Sequence, residues 1–140
     1  MTAAPLGVYV HFPWCVSKCP YCDFNSHAVK GAVPERQYLD ALRRDLEHQA
    51  ASPLALESRL ATRAVRSVFL GGGTPSLFAP QAIGEVLSML RAALPFAVDA
   101  EITLEANPGT IERGRFAEYA AAGVNRVSLG AQSFDDAMLR

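Results

Sequence analysis

Short apolar runs alternate along the chain with amphipathic stretches. The segments 8–12, 65–70, 101–105 and 125–129 carry the apolar or alternating pattern of strands. Between them, apolar positions recur at helical spacing. These stripes are Tyr38, Leu39, Leu42 and Leu46; then Ile83, Val86, Leu87 and Leu90; then Phe116, Tyr119 and Ala120. The pattern predicts an α/β protein in which each strand is followed by a helix.

Helix start and stop signals support this alternation. Pro34 and Pro80 stand where the first two helices begin, and Gly123 stands where the third ends. Residues 107–110 predict a turn and a cap before that third helix. The segment 133–136, a serine followed by acidic residues, predicts the start of a fourth helix. The segment 51–58 has the loosest pattern in the chain, and we expect it to be a surface connection.

Strands alternating with helices favour a parallel sheet covered by helices, either an open doubly wound sheet or part of a barrel. About four βα units fit into the 140 residues. A complete eight-unit barrel takes about 250 residues, so four units cannot close one. The pattern therefore predicts a fragment of a larger parallel domain with a raw strand edge.

Composition excludes several classes of protein. The chain has 13 Lys and Arg against 14 Asp and Glu, which leaves no basic excess for nucleic acid. No apolar run approaches the roughly 20 residues of a membrane span. The start of the chain lacks the charged and apolar regions of a signal peptide. We therefore expect a cytoplasmic protein with free thiols.

The three cysteines are the whole cysteine complement, and they lie within eight residues: Cys15, Cys19 and Cys22. An odd, tightly spaced set does not fit a disulfide framework. Three thiolates can hold three irons of a cubane cluster and leave the fourth iron open to a ligand. Zinc is an alternative if His11 or His27 completes a tetrahedral site, and a redox thiol pair is another.

Other polar or glycine-rich segments also follow predicted strands. Residues 71–74 follow the second strand, Glu105 ends the third, and Gln132 follows the fourth. The carboxyl ends of parallel strands converge on one crevice, so these groups should meet the cysteines there. Taken singly, they also fit a tight turn, a solvated strand end and a surface amide.

The cysteine spacing, with Tyr21 before the last cysteine, resembles the signature of radical S-adenosylmethionine (SAM) enzymes. Longer stretches are similar to the oxygen-independent coproporphyrinogen III oxidases and their haem-chaperone relatives, and the likeness covers nearly the whole chain. These stretches are Tyr9–His27, Gly71–Pro75, Leu104–Pro108 and Asn125–Ser133.

The resemblance implies a partial (βα)6 barrel, with residues 1–140 as the N-terminal part of a truncated radical SAM core domain. It implies a 4Fe-4S cluster on Cys15, Cys19 and Cys22, with SAM on the open iron through its amino and carboxylate groups. The remaining implied contacts are Tyr9 and Tyr21 lining the SAM site, with Tyr21 near adenine; Gly72, Gly73 and Thr74 at the methionine end; Glu105 on the ribose; and Gln132 in the same pocket.

One residue separates the branches of this family. Decarboxylating members carry a fourth cysteine two residues after the third, where this chain has Phe24. The resemblance therefore favours a haem chaperone without oxidase activity, which would need a reductant and would pass haem to an acceptor protein. Coproporphyrinogen III oxidase is the alternative, and a zinc-binding module is a remote one. The family likeness implies haem-binding residues beyond Arg140.

Overall fold

The computed structural model describes residues 4–108 and 113–139, so the predicted turn at 107–110 lies partly outside the described residues. All four predicted strands and three predicted helices are present. The strands are β1 Leu6–Phe12, β2 Trp14–Cys15, β3 His27–Ala28, β4 Val65–Gly72, β5 Phe96–Ala106 and β6 Arg126–Leu129; the helices are α1 Glu35–Ala50, α2 Pro53–Glu57, α3 Pro80–Ala93 and α4 Arg113–Ala121.

The main sheet is parallel and has the order β1-β4-β5-β6. Each strand therefore lies beside the next main-sheet strand along the chain. Because parallel crossovers are right-handed, a sequential order places every connecting helix on the same face. A doubly wound sheet would instead reverse its order at a switch point. The sheet is thus the barrel type of the two predicted architectures, and it is open at four strands.

The helix-covered face of the sheet is the hydrophobic core. Strand side chains alternate between the two faces, and those on the core face are buried. The predicted stripe of α3 is buried throughout, while Tyr38, Leu42 and Leu46 of α1 pack against the core at its margin. The principal core residues are Val10, Phe12, Leu39, Val68, Leu70, Ile83, Val86, Leu87, Ile102, Leu104 and Tyr119.

Two polar side chains, one from α4 and one from α1, tie the helices to the loop that follows β4. The buried Tyr119 hydroxyl of α4 donates to the carbonyl oxygens of Ser76, at 3.1 Å, and Phe78, at 2.6 Å. The Glu35 carboxylate of α1 accepts from the backbone N–H of Ala79 at 2.6 Å, just before α3 begins. A buried hydrogen bond stabilises by about 1 kcal/mol, so these contacts hold the carboxyl end of β4 in place.

The prediction of a surface connection at 51–58 was incomplete, and the prediction of a helix from Ser133 was wrong. The segment 51–58 contains the short helix α2, because the Ser52 hydroxyl caps it by accepting from Ala55 N–H at 3.2 Å and Pro53 occupies its first turn. The segment from Ser133 forms only turns within its described part. A single turn lacks the cooperative hydrogen bonds that sustain a helix without packing. None of the helices in the described ranges has the length and apolar character that crossing a membrane requires.

Candidate metal and cofactor site

The cysteines lie in a loop that begins and ends at a small parallel ladder. Trp14 pairs with His27, and Cys15 pairs with Ala28. Within the loop, Cys22 N–H donates to the Cys19 carbonyl at 3.0 Å and closes a turn around the last two cysteines. The sequence analysis did not predict this ladder, because a two-residue strand is too short to produce a pattern. The ladder fixes both ends of the cysteine loop.

The glycine loop after β4 is hydrogen-bonded to the beginning of the cysteine loop. Gly73 N–H donates to the Phe12 carbonyl at 2.6 Å, and Thr74 N–H donates to the Trp14 carbonyl at 2.7 Å. Gly72 has φ +111°, and a Cβ there would lie 2.5 Å from Nδ1 of His11. Only glycine meets both conditions. Gly71 and Gly72 end β4 and Gly73 begins the bend that follows, so the run joins two strand ends and is not a tight turn of its own.

Glu105 does not project freely into solvent. Its Oε2 accepts from the backbone N–H of Gly72 at 3.0 Å. A Cβ on Gly71 would lie 2.8 Å from the same oxygen, so glycine at 71 allows the carboxylate to approach the backbone. This contact spans 33 residues of sequence. The carboxylate is held beside the glycine loop, and its second oxygen, Oε1, remains for a ligand.

Asn107 joins this group, although sequence reasoning gave it only a turn role. Its Nδ2 donates to the Thr74 hydroxyl oxygen at 3.1 Å. Thr74 is only 1% exposed, so its hydroxyl orients Asn107 more than it faces a ligand. The position of Asn107 directly after β5 was the available signal. Gln132 lies across from it with φ +62°, and its Nε2 lies 2.9 Å from where a Cβ on Gly130 would stand.

One cavity of about 370 Å³ brings the predicted site together at the carboxyl ends of the strands. All of the predicted residues except Tyr9 line it. They are Cys15, Cys19, Cys22, Tyr21, Gly72, Gly73, Thr74, Glu105 and Gln132, and the cavity also meets Phe24, Asn107 and Ser128. The convergence of strand ends that the sequence predicted is therefore present in the fold.

Tyr9 lies on the face of the sheet opposite the helices, and it does not line this cavity. Its hydroxyl is hydrogen-bonded to Nδ1 of His11 at 3.0 Å, and its ring stacks on Phe69 with centroids 6.3 Å apart. The pKa of Tyr9 is raised mainly by partial burial and to a smaller degree by the negative charge of Glu105. Strand alternation decides its position, since residues 9 and 11 share the face opposite the core.

The two histidines that a zinc site would need are engaged elsewhere. His11 Nε2 donates to the Asn25 carbonyl at 2.7 Å, which makes Nδ1 the acceptor from Tyr9 in a neutral ring. His27 Nε2 is paired with Oδ1 of Asn25 at 3.1 Å. Neither histidine lines the cavity. The described geometry gives no support to a tetrahedral site that uses either ring.

The donor chemistry fits an iron–sulfur cluster with three protein ligands. All three thiols are free and line one cavity. In the ranges that the structure describes, no three His, Cys, Asp or Glu side chains are already arranged around a single ion position. The pKa of the exposed Tyr21 is raised, mainly by hydrogen bonding to Cys19. The thiols and the nearby glycine and carboxylate groups suit a cluster with one open iron and a polar ligand beside it.

Comparison with known proteins agrees with this chemistry. The heme chaperone HemW of Escherichia coli is 52% identical over 136 residues, which cover 97% of this chain and 34% of that protein. HemW of Haemophilus influenzae is 48% identical over 97% of this chain and 35% of its own length. The bovine mitochondrial radical S-adenosyl methionine domain-containing protein 1 is 45% identical over 96% of this chain and 28% of its own.

The fold also has a solved counterpart. Coproporphyrinogen III oxidase (HemN) from Escherichia coli, described as a radical SAM enzyme, superposes with a TM-score of 0.80 at 36% identity. The likeness covers 95% of this chain and 29% of that one. The chain thus spans about a third of the length of the curated HemW proteins that it matches. Residues 9–140 match the radical SAM superfamily, and the chain therefore belongs to that superfamily.

Proposed function

We propose that the protein binds a 4Fe-4S cluster through Cys15, Cys19 and Cys22, binds SAM beside it, and acts as a haem chaperone. The observation that carries the proposal is the single cavity lined by all three thiols, the glycine loop and Glu105. Three free thiols that line one cavity suit a cluster that keeps one iron open. Membership of the radical SAM superfamily supports the same pair of ligands.

The residues around the cavity have distinct tasks in this proposal. Gly72 and Gly73 let the amino-acid end of SAM approach the backbone. Glu105, already oriented by Gly72 N–H at 3.0 Å, has its Oε1 to accept hydrogen bonds from ribose hydroxyls. When bound, the cluster supplies an open iron and an electron for its ligand. Tyr21 is 72% exposed at the cavity mouth, where its ring can cover an adenine.

The presence of Phe24, in place of a fourth cysteine, favours the chaperone role over the oxidase role. This side chain is 66% exposed and lines the cavity at the position where decarboxylating enzymes of the family are expected to carry a fourth cysteine. The relatives named heme chaperone are 39–52% identical, whereas the coproporphyrinogen oxidase is 36% identical. In the complete protein, the chaperone role requires haem, a reductant and an acceptor protein in a compartment that keeps thiols reduced.

Anaerobic reconstitution of the complete protein that carries these 140 residues tests the cofactor proposal. After treatment with iron and sulfide, iron analysis should give about four irons per chain, and reduction should give a paramagnetic signal that changes when SAM is added. Stoichiometric zinc, or a cluster whose signal ignores SAM, would contradict the proposal.

The variant Glu105→Gln tests the ribose contact. Glutamine keeps an acceptor for Gly72 N–H but loses the charge. We expect SAM affinity to fall about tenfold, because a hydrogen bond to a charged group is worth roughly 1.5–3 kcal/mol and the amide retains part of it. Glu101→Gln is the matched control, since Glu101 lies four residues earlier on the same strand and does not line the cavity. Loss of iron with unchanged SAM affinity would argue against the role given to Glu105.

Haem titration and an oxidase assay distinguish the two whole-protein functions. The complete protein should bind haem, seen as a Soret band that saturates at a defined ratio, and should not decarboxylate coproporphyrinogen III under anaerobic conditions with SAM and a reductant. Formation of the decarboxylated product would reverse the order of the two functions.

A further inference from the structure

Lys18 is fully engaged within the cysteine loop. Its Nζ donates to the Phe24 carbonyl at 2.7 Å, to the Ser26 carbonyl at 3.1 Å and to Ser26 Oγ at 3.3 Å. An ammonium group has three donors and no acceptor, so Ser26 Oγ accepts in the third contact. Lys18 therefore bridges the loop from the residue before Cys19 to the residues after Cys22, and it leaves the Ser26 proton free to point elsewhere.

The Ser26 proton has one evident acceptor. Ser26 Oγ lies 3.7 Å from Cys22 Sγ, within hydrogen-bond reach for sulfur. A thiolate that ligates a metal carries no proton and can only accept. Ser26 is 3% exposed, so water has little access to its hydroxyl. The chain of contacts thus runs from the Lys18 ammonium through the Ser26 hydroxyl to the Cys22 sulfur.

We propose that Ser26 is a positioning residue that donates a hydrogen bond to the Cys22 thiolate when this sulfur ligates the cluster, and that Lys18 strengthens the bond by polarising the hydroxyl. The inference rests on the proposed cluster site. Hydrogen bonds to ligand sulfurs are among the factors that set the reduction potential of an iron–sulfur cluster. The pair therefore tunes the potential at which this cluster accepts an electron.

The sign of the effect follows from charge. Reduction adds an electron to the cluster and makes its sulfurs more negative. A donor aimed at Cys22 stabilises the reduced form more than the oxidised form, and the positive charge of Lys18 acts in the same direction. Removing either group should make the potential more negative.

The test is a redox titration of the reconstituted complete protein, followed by the paramagnetic signal of the reduced cluster. In Ser26→Ala, the ratio of reduced to oxidised cluster at a fixed solution potential should fall about tenfold, which is a shift of about 59 mV for a one-electron couple. Ser26→Thr keeps the hydroxyl and should recover most of the wild-type potential. Ser88→Ala removes an exposed hydroxyl from α3, outside the cavity lining, and should leave the potential unchanged.

Lys18→Met provides a second, independent variant. It should lower the potential in the same direction as Ser26→Ala, and it decides the matter if Ser26→Ala does not retain iron. Lys30→Met is its matched control, because Lys30 is the other lysine of the chain and is exposed beyond β3. Lys18→Arg keeps the positive charge, so its reduction potential should lie between those of the wild type and Lys18→Met.

The outcomes separate this inference from the proposed function. A wild-type protein that holds no cluster would overturn both. A wild-type cluster that responds to SAM, with iron retained and an unchanged potential in Ser26→Ala or in Lys18→Met, would overturn the hydrogen-bond relay alone. A potential that falls in both variants but not in Ser88→Ala or Lys30→Met would support it.

Discussion

Replacing Gly72 with alanine should destabilise the protein more than the same change at Gly31. Both glycines have positive φ, +111° and +90° respectively. They differ in their surroundings, since a Cβ at 72 would lie 2.5 and 2.6 Å from ring atoms of His11, whereas a Cβ at 31 meets nothing within 4 Å. The pair therefore separates backbone strain from steric overlap.

The magnitude follows from these two contributions. A non-glycine residue in a sparsely populated backbone region costs about 1–3 kcal/mol. Overpacking adds about 1–3 kcal/mol, because the His11 ring is tied to Tyr9 and to the Asn25 carbonyl and loses those hydrogen bonds if it moves. We expect Gly72→Ala to cost about 2–6 kcal/mol and Gly31→Ala only the first contribution, against a typical total stability of about 5–15 kcal/mol.

Denaturant unfolding followed by far-UV circular dichroism measures the difference. The midpoint for Gly72→Ala should fall well below that of Gly31→Ala, with similar slopes for both variants. Equal midpoints would refute the reasoning, because they would mean that His11 gives way without cost. Gly72→Ala should also weaken SAM binding, because a backbone shift that accommodates the new Cβ would displace the N–H that orients Glu105.

Two further changes should alter stability in predictable directions. Gly84→Ala should stabilise by about 0.5–1 kcal/mol, because Gly84 lies inside α3 and its new Cβ would stand an ordinary 3.6 Å from Ala122; a lower melting temperature would contradict this. Burial is the main cause that raises the pKa of Tyr38. The neutral phenol therefore stabilises the folded state fully below about pH 10, and this stabilisation is lost as pH rises beyond that value. Tyr38→Phe should flatten this alkaline fall and cost about 1 kcal/mol at neutral pH through the lost hydrogen bond to the His11 carbonyl; pH-dependent unfolding with the same alkaline slope in both proteins would argue against it.

Local sequence patterns were sufficient for the elements and for most of the site. The stripe from Ile83 to Leu90 predicted the buried face of α3, and the strand patterns predicted β1, β4, β5 and β6. Periods of two and of about three and a half residues report directly which side chains face a core. Once parallel strands were inferred, their carboxyl ends had to meet, which brought Glu105 and the cysteines to one cavity.

Short or isolated elements were not predictable in this way. The ladder between Trp14 and His27 is two residues long, so it has no periodicity to read. The helix α2 has five residues, and its only signal is the cap Ser52 followed by Pro53. The acidic segment after Ser133 carries a cap signal without forming a helix. In each case the local preference amounts to about 1 kcal/mol, which tertiary packing can support or override.

The residues themselves dictated the order of strands and helices, the core stripes and the clustering of the three cysteines, because these depend on side-chain chemistry and short-range spacing. The choice of a barrel sheet over a doubly wound one depended on strand order, which arises from packing between segments distant in sequence. The close approach of His11 to Gly72 and the hydrogen bond from Gly72 N–H to Glu105 arose in the same way. Such contacts join residues tens of positions apart, and no local period encodes them.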